Sequence, residues 1–312
     1  MNPLSLSTAW HHRDFDDGHG LVDKTLDMGF YKMEINFMIR EHVFKGIAEE
    51  SRKGRILITS LHNICPVTPE MEKVEGFVNF FNLTALDNDV REKAVELSEM
   101  TLRNASELEA RCVVFHLGEV GEGHLRKEEK KLKKEIRREK KEPSEFKAEF
   151  DALIKQREEK KAKYIDNLRY SLDYLVPAAE KLGVVVGMEN RYYLTQVPDF
   201  TEIGMLLKDY DSDYFKFWYD FGHAANNSNI GYEHYLSYLK EYGGSVVGIH
   251  IHDCVGLDDH QPPGDGKLDF MAIKDLLPED TLNVLELNPA LNDDDLQRGV
   301  EYLRQTGFIN EN

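Results

Sequence analysis

The sequence predicts an α/β fold, a (β/α)8 TIM barrel carrying a charged helical insertion after its fourth strand. Three observations lead there. Short apolar runs recur along the 312 residues, most of them are continuous rather than alternating, and helix-period stretches separate them. Continuous apolar strands are those covered on both faces, as in a parallel sheet wrapped by helices. Eight such strands alternating with helices over this length fit a closed barrel. An open doubly wound sheet is the competitor. No GxGxxG follows the first run, so that fold's usual nucleotide signature is missing. Residues 1–312 therefore read as one barrel domain.

The runs, in order, are LSLSTAW (4–10), KMEINF (32–37), ILITSLHNIC (56–65), CVVFHLGEV (112–120), VVVGMEN (184–190), FKFWYDFGH (215–223), VVGIHIHD (246–253) and LNVLELNP (282–289). Helices are expected over 88–109, 163–182, 199–209, 231–242, 269–277 and 292–306, where apolar residues step by three and four. One segment breaks the rhythm, an insertion over 121–163 between the fourth strand and its helix. Within it RKEEKKLKKEIRREKKE (126–142) carries ten basic, five acidic and two apolar side chains. Opposite charges at i,i+4 spacing suit a solvated helical arm. The sharper reading is a lid or anion-steering arm, because loops after barrel strands ring the active site.

Bulk numbers narrow the function classes. The net charge of −18, with 57 acidic against 39 basic residues, disfavours DNA and other broad phosphate surfaces. It does not exclude a pocket filled by cations. Cys65, Cys112 and Cys254 are few, scattered and free of any CxxC pair, which excludes a disulfide framework and fits a reducing cytoplasm. The stretch MNPLSLSTAWHHRDFDD lacks the pattern of a signal peptide, and no segment has the ~20 apolar residues of a membrane span. A cytoplasmic protein without membrane partners is expected, with homo-oligomer formation left open.

Chemistry collects where the runs end. The third ends in His62, the fourth in His116, the fifth in Glu189, and the sixth in Asp220 with His223 three residues on. The seventh ends in His250 and His252, followed by Asp258 and His260, and the eighth in Glu286. In a parallel barrel these ends meet at one face. Alone, each is more often a hydrogen-bonded or solvated group than a ligand. Together, unpaired carboxylates at one buried face would be costly, and metal coordination resolves the cost. Imidazole with carboxylate suits Zn, Mn, Fe or Co better than a thiolate site would, with Mg a further candidate ion. His252 shares the face of His250, one step further out, placed to touch substrate or orient a ligand. Trp10 ends the first run and is a candidate to line the pocket. Arg191 and Lys267 are candidate partners for a substrate phosphate, and Cys254 has no activating partner.

The motifs FHLG, MEN, DFGHA, GIHIHD, DDHQPPGDG and LELNP, in this order, resemble the xylose isomerase-like TIM-barrel superfamily, which holds sugar-phosphate isomerases and epimerases as well as endonuclease IV. The resemblance covers nearly all of the barrel and leaves out the charged insertion. By that resemblance Glu189, Asp220, His250 and Glu286 hold one divalent metal. His62, His116, His223, Asp258 and His260 match the further ligands of the three-zinc branch, so one to three ions are implied. The basic residues of a DNA-bending nuclease are not evident outside the insertion, and without segment 126–142 the chain carries −23.

Two activities follow from the resemblance. The first is a metal-dependent isomerase or epimerase acting on a small sugar or sugar phosphate, with Glu189 and Glu286 trading a proton next to a carbonyl. The second is a multi-zinc phosphodiesterase of the endonuclease IV kind. A barrel that has lost activity and only binds is the third reading. It is disfavoured because no expected ligand position is substituted.

Overall fold

The computed structural model describes residues 4–76 and 81–309, so Met1–Pro3 of the amino-terminal stretch quoted above lie outside the described residues. Eight parallel strands close into a barrel: β1 Ser5–Ser7, β2 Lys32–Ile35, β3 Leu57–His62, β4 Cys112–Phe115, β5 Val185–Glu189, β6 Phe215–Asp220, β7 Val246–Ile251 and β8 Leu282–Leu285. Each strand pairs with its sequence neighbours and β8 returns to β1, as eight consecutive right-handed β–helix–β units require. Every apolar run identified above supplies one strand.

Side-chain alternation divides each strand between two cores. Phe217, Tyr219, Ile249, Val186 and Met188 face outward into the large core shared with the helices. Cys112, Val114, Trp218, Val247 and Val284 fill the barrel interior. Trp218 occupies that space because Gly248 leaves it open: a Cβ on Gly248 would lie 2.1 Å from the indole. The inward-facing positions one step beyond this layer are His116, Glu189, Asp220, His250 and Glu286. The register opposes Asp220 to His250, so these two side chains share one level at the carboxyl end of the barrel.

Helices start where short polar side chains take up their free N–H groups. Asp87 caps Asn88–Glu107, Asp199 forms a reciprocal box with Glu202, and Asn292 does the same with Asp295. Gly183, at φ 70°, ends the helix Ala162–Leu182. The helix Phe221–Ile230 was not among those expected. It begins directly from Asp220, whose carboxylate accepts the His223 N–H at 2.7 Å. Among the described residues no helix is long and apolar enough to cross a membrane.

The insertion forms two helices, His124–Glu139 and Lys147–Lys160, before the barrel helix Ala162–Leu182. Its first helix is not a solvated arm. Leu125, Glu129, Lys133 and Ile136 form a stripe against the barrel and are buried, Glu129 and Lys133 to 0 % and 1 % exposure. Ile136 and Phe150 join Ile230 and Leu257 in a satellite core. The expectation of a solvated arm fails because hydrogen bonds from Glu129 and Lys133, together with these apolar contacts, hold this face down.

Candidate metal centre

At the carboxyl end of the barrel lies a cavity of about 580 Å³. His62, His116, Glu189, Arg191, His223, His260 and Glu286 line it, with Asn36, Phe37 and Met38 from the loop after β2. The ligand atoms of Glu189, Asp220, His250 and Glu286 lie within 4.8 Å of one another, and all four residues are buried. His250 Nδ1 stands 2.8 Å from Glu189 Oε1, 3.1 Å from Glu286 Oε2 and 3.5 Å from Asp220 Oδ2. Three more clusters adjoin this one, the first of them Asp220, His252, His260 and Glu286. His62 and His116 join Glu189, with His116 Nε2 at 2.9 Å from Glu189 Oε2. His223 and His260 join Asp259, at 3.6 Å and 3.2 Å from its carboxylate.

Surrounding hydrogen bonds aim these ligands. His250 donates from Nε2 to Glu34 at 3.1 Å, and Glu34 accepts from the Ser60 hydroxyl at 2.8 Å. That leaves Nδ1 to face the three carboxylates, the carboxylate–histidine arrangement that fixes a metal ligand. His223 donates from Nδ1 to the Asn190 carbonyl at 3.0 Å, which frees Nε2. His252 accepts the His260 N–H on Nδ1 at 2.8 Å, so its Nε2 carries the hydrogen donated to Asp220 at 3.0 Å. His252 is fully buried and does not line the cavity. His260 sits at φ 54°, a left-handed conformation uncommon for a non-glycine residue.

The electrostatics fit a cation. Burial opposes charge on Glu189, yet Arg191 and His116 hold its carboxylate well below the usual range. Burial also opposes charge on Asp220 and Glu286, and neighbouring histidines keep both ionised. The imidazole of His250 is raised well above its ordinary value: burial works against the charge, but Glu286 and Glu34 outweigh it. Burial lowers His62 and His223 and pushes His116 far down, keeping those imidazoles neutral and able to bind metal. The buried carboxylates of Glu34, Glu189, Asp220 and Glu286 outnumber the buried cations His250 and Arg191. A divalent ion among these donors, taking the place of the His250 Nδ1 proton, offsets part of that excess.

Of the sequence candidates, His62, His116, Glu189, Asp220, His223, His250, His260 and Glu286 converge, with Arg191 alongside, its guanidinium on Glu189. Three do not. Asp258 is 57 % exposed and its carboxylate takes Arg137 Nε at 2.5 Å, while the next residue, Asp259, turns to His223 and His260. Lys267 is exposed beside a separate cavity of about 610 Å³ near Cys254 and Asn229. Trp10 is buried at 1 % exposure and donates to the Leu291 carbonyl at 3.0 Å, a packing role. Sequence reasoning missed Glu34, Asn36 and Asp259. A lone carboxylate inside the apolar run KMEINF was the available signal for Glu34.

Comparison with known proteins agrees with this architecture. The structure resembles a D-tagatose 3-epimerase-like protein (TM-score 0.68, 20 % identity, covering 99 % of this chain and 97 % of that one). It also resembles the 3-keto-D-glucoside 4-epimerase of E. coli (0.66, 14 %, 99 % and 100 %). A third likeness is the D-psicose 3-epimerase of Clostridium cellulolyticum H10, solved with D-tagatose (0.65, 15 %, 98 % and 99 %). At such identities the likeness establishes the fold. No curated protein matches in sequence. The family model described as xylose isomerase-like TIM barrel matches residues 22–306, and the chain belongs to that family.

Proposed function

We propose that this chain is a divalent-metal-dependent sugar isomerase or epimerase that moves a proton next to a carbonyl. One observation carries the reading: Glu189 and Glu286, from strands that are not neighbours, both touch His250 Nδ1 and both line the same cavity. A bound divalent ion supplies Lewis acidity toward a carbonyl oxygen and its neighbouring hydroxyl. The protein supplies the rest. Glu189, held by His116 and Arg191, and Glu286, held by Asn36 and His260, approach a substrate from different sides. One carboxylate takes the proton and the other returns it. Return to the opposite face of the same carbon is epimerisation, and return to the adjacent carbon is isomerisation.

The cavity suits a small sugar in size, with Phe37, Met38 and Leu287 as apolar wall. The sugar epimerases among the structural neighbours, which span nearly the whole chain, support the same class. Arg191 is engaged with Glu189 and Lys267 lies elsewhere, so among the described lining residues Arg13 is the remaining candidate for a sugar phosphate. The test is incubation with free and phosphorylated ketoses in D2O. Deuterium entering next to the carbonyl, followed by NMR, is the expected result; its absence across the panel sinks the reading.

A second reading, multi-metal phosphoester hydrolysis, is favoured by the clusters His62–His116–Glu189 and His223–Asp259–His260 beside the first. Metal content separates the two. About one ion per chain accompanies proton transfer, whereas two or three accompany hydrolysis.

A further inference from the structure

We infer that Lys133 and Arg137, on the insertion helix, are positioning residues that hold the loop Leu257–His260 and so assemble the His223–Asp259–His260 cluster. That cluster draws on two segments, the helix Phe221–Ile230 and the hairpin after β7, and the loop after β5 runs beside them. Nothing in the barrel ladder fixes their relative placement, because all three lie beyond the strand ends.

The insertion helix ties them together through residues four apart. Arg137 Nε donates to Asp258 Oδ1 at 2.5 Å, and its second nitrogen donates to the Leu257 carbonyl and the Tyr192 hydroxyl, each at 2.7 Å. The Leu257 carbonyl also accepts from Tyr192 Oη at 2.8 Å and Asn226 Nδ2 at 3.1 Å. One carbonyl thus joins the insertion, the loop after β5 and the helix that carries His223. Lys133 Nζ donates to the Tyr192 carbonyl at 2.7 Å and Asn226 Oδ1 at 2.9 Å, and lies 3.7 Å from the centre of the Tyr192 ring. Glu129, paired with Lys133 at 3.2 Å, accepts from the Leu194 and Thr195 N–H groups and the Thr195 hydroxyl.

A buried Lys–Glu pair is weak evidence for stability, since desolvation offsets the attraction. What it does supply here is direction. Its hydrogen bonds end on backbone groups next to Arg191 and on Asn226, one helical turn beyond His223, while Arg137 grips the residues directly before Asp259. With Asp258 drawn outward to Arg137, Asp259 turns inward and His260 adopts its left-handed backbone. The hairpin of Asp253–Val255 with Asp258–Gln261 puts the two adjacent aspartates on opposite faces, and the insertion holds the outward one.

The test uses the full chain and zinc alone. It reads zinc equivalents and affinities by competition with a chromophoric chelator, hydrogen exchange over 257–261, and the melting temperature. Arg137→Ala should lose one equivalent or weaken it at least about tenfold, as outer-shell substitutions do. Exchange over 257–261 should rise while the remaining equivalents keep their affinity. Arg137→Lys should recover part of the loss, and His223→Ala identifies which equivalent is read. If Arg137→Ala does not fold, Asp258→Asn, at an exposed side chain, reads the same quantities. Unchanged zinc binding overturns the proposal, as does an even loss at all sites with a fall in melting temperature. A wild type that takes up a single equivalent overturns it too. The proposal rests on the multi-metal centre of the second reading and not on proton transfer: failure of deuterium uptake in wild type removes the epimerase reading and leaves this one standing.

Discussion

Glu34→Gln separates the two duties of a buried carboxylate. Glu34 is fully buried, 3.1 Å and 3.2 Å from His250 Nε2 through its two oxygens, and accepts from Ser60 at 2.8 Å. Glutamine keeps the shape, accepts the same imidazole N–H through its oxygen, and donates to Ser60 through its amide. It loses the negative charge that makes His250 a stronger donor. Removing such an outer partner typically costs about 10- to 100-fold in metal affinity, or ~1.4–2.8 kcal/mol at 1.4 kcal/mol per decade. Glu34→Ala differs in kind, because it leaves the imidazole N–H and the Ser60 hydroxyl buried without partners, at ~1–3 kcal/mol of fold stability each. Chelator competition on the apoprotein reads affinity, and a denaturant titration reads stability. The expected pattern is weakened binding with near-native stability for glutamine, and losses in both for alanine. Wild-type affinity in the glutamine variant, with stability falling in the alanine variant alone, would show that Glu34 only packs.

Three further outcomes are expected. Glu189→Gln and Glu286→Gln should each lower proton exchange on the true substrate by ~10²–10⁴-fold with the fold retained, since each is proposed as ligand and proton carrier; near-wild-type turnover in either refutes the two-carboxylate mechanism. Gly248→Ala places a Cβ 2.1 Å from the Trp218 ring, in a filled layer with no room to relax, and should cost at least ~1–3 kcal/mol in a denaturant titration. An unchanged midpoint would mean that Trp218 has another place to go. Cys65, Cys112 and Cys254 are buried, and burial pushes each thiol up, so a thiol reagent at neutral pH should label none in the native protein and all three in denaturant; fast native labelling of Cys254 would place it on an accessible surface.

The strand order and most of the site were legible in the sequence because both depend on local periodicity. A period of two along each apolar run sends Glu189, Asp220, His250 and Glu286 inward, and parallel strands put their ends at one face. Once the runs were recognised as neighbours in a closed barrel, convergence of those residues followed without any knowledge of loops. Glu34 is different. Its partner His250 lies 216 residues away across the barrel, and only closure brings them together. The choice of Asp259 over Asp258 depends on a hairpin conformation and on Arg137 from the insertion, neither of which a DxH spacing encodes. Trp10 and Lys267 stand at positions where the sequence allows a pocket or a packing role, and burial alone assigns them. The insertion shows the limit most plainly. Composition identified a charged helix, since charge pattern is local, but Glu129 and Lys133 are buried by hydrogen bonds to loops that the linear chain places some sixty to ninety residues away. Apolar burial announces itself in a sequence through periodicity; a polar face that packs by hydrogen bonds does not, because its partners exist only in the folded chain.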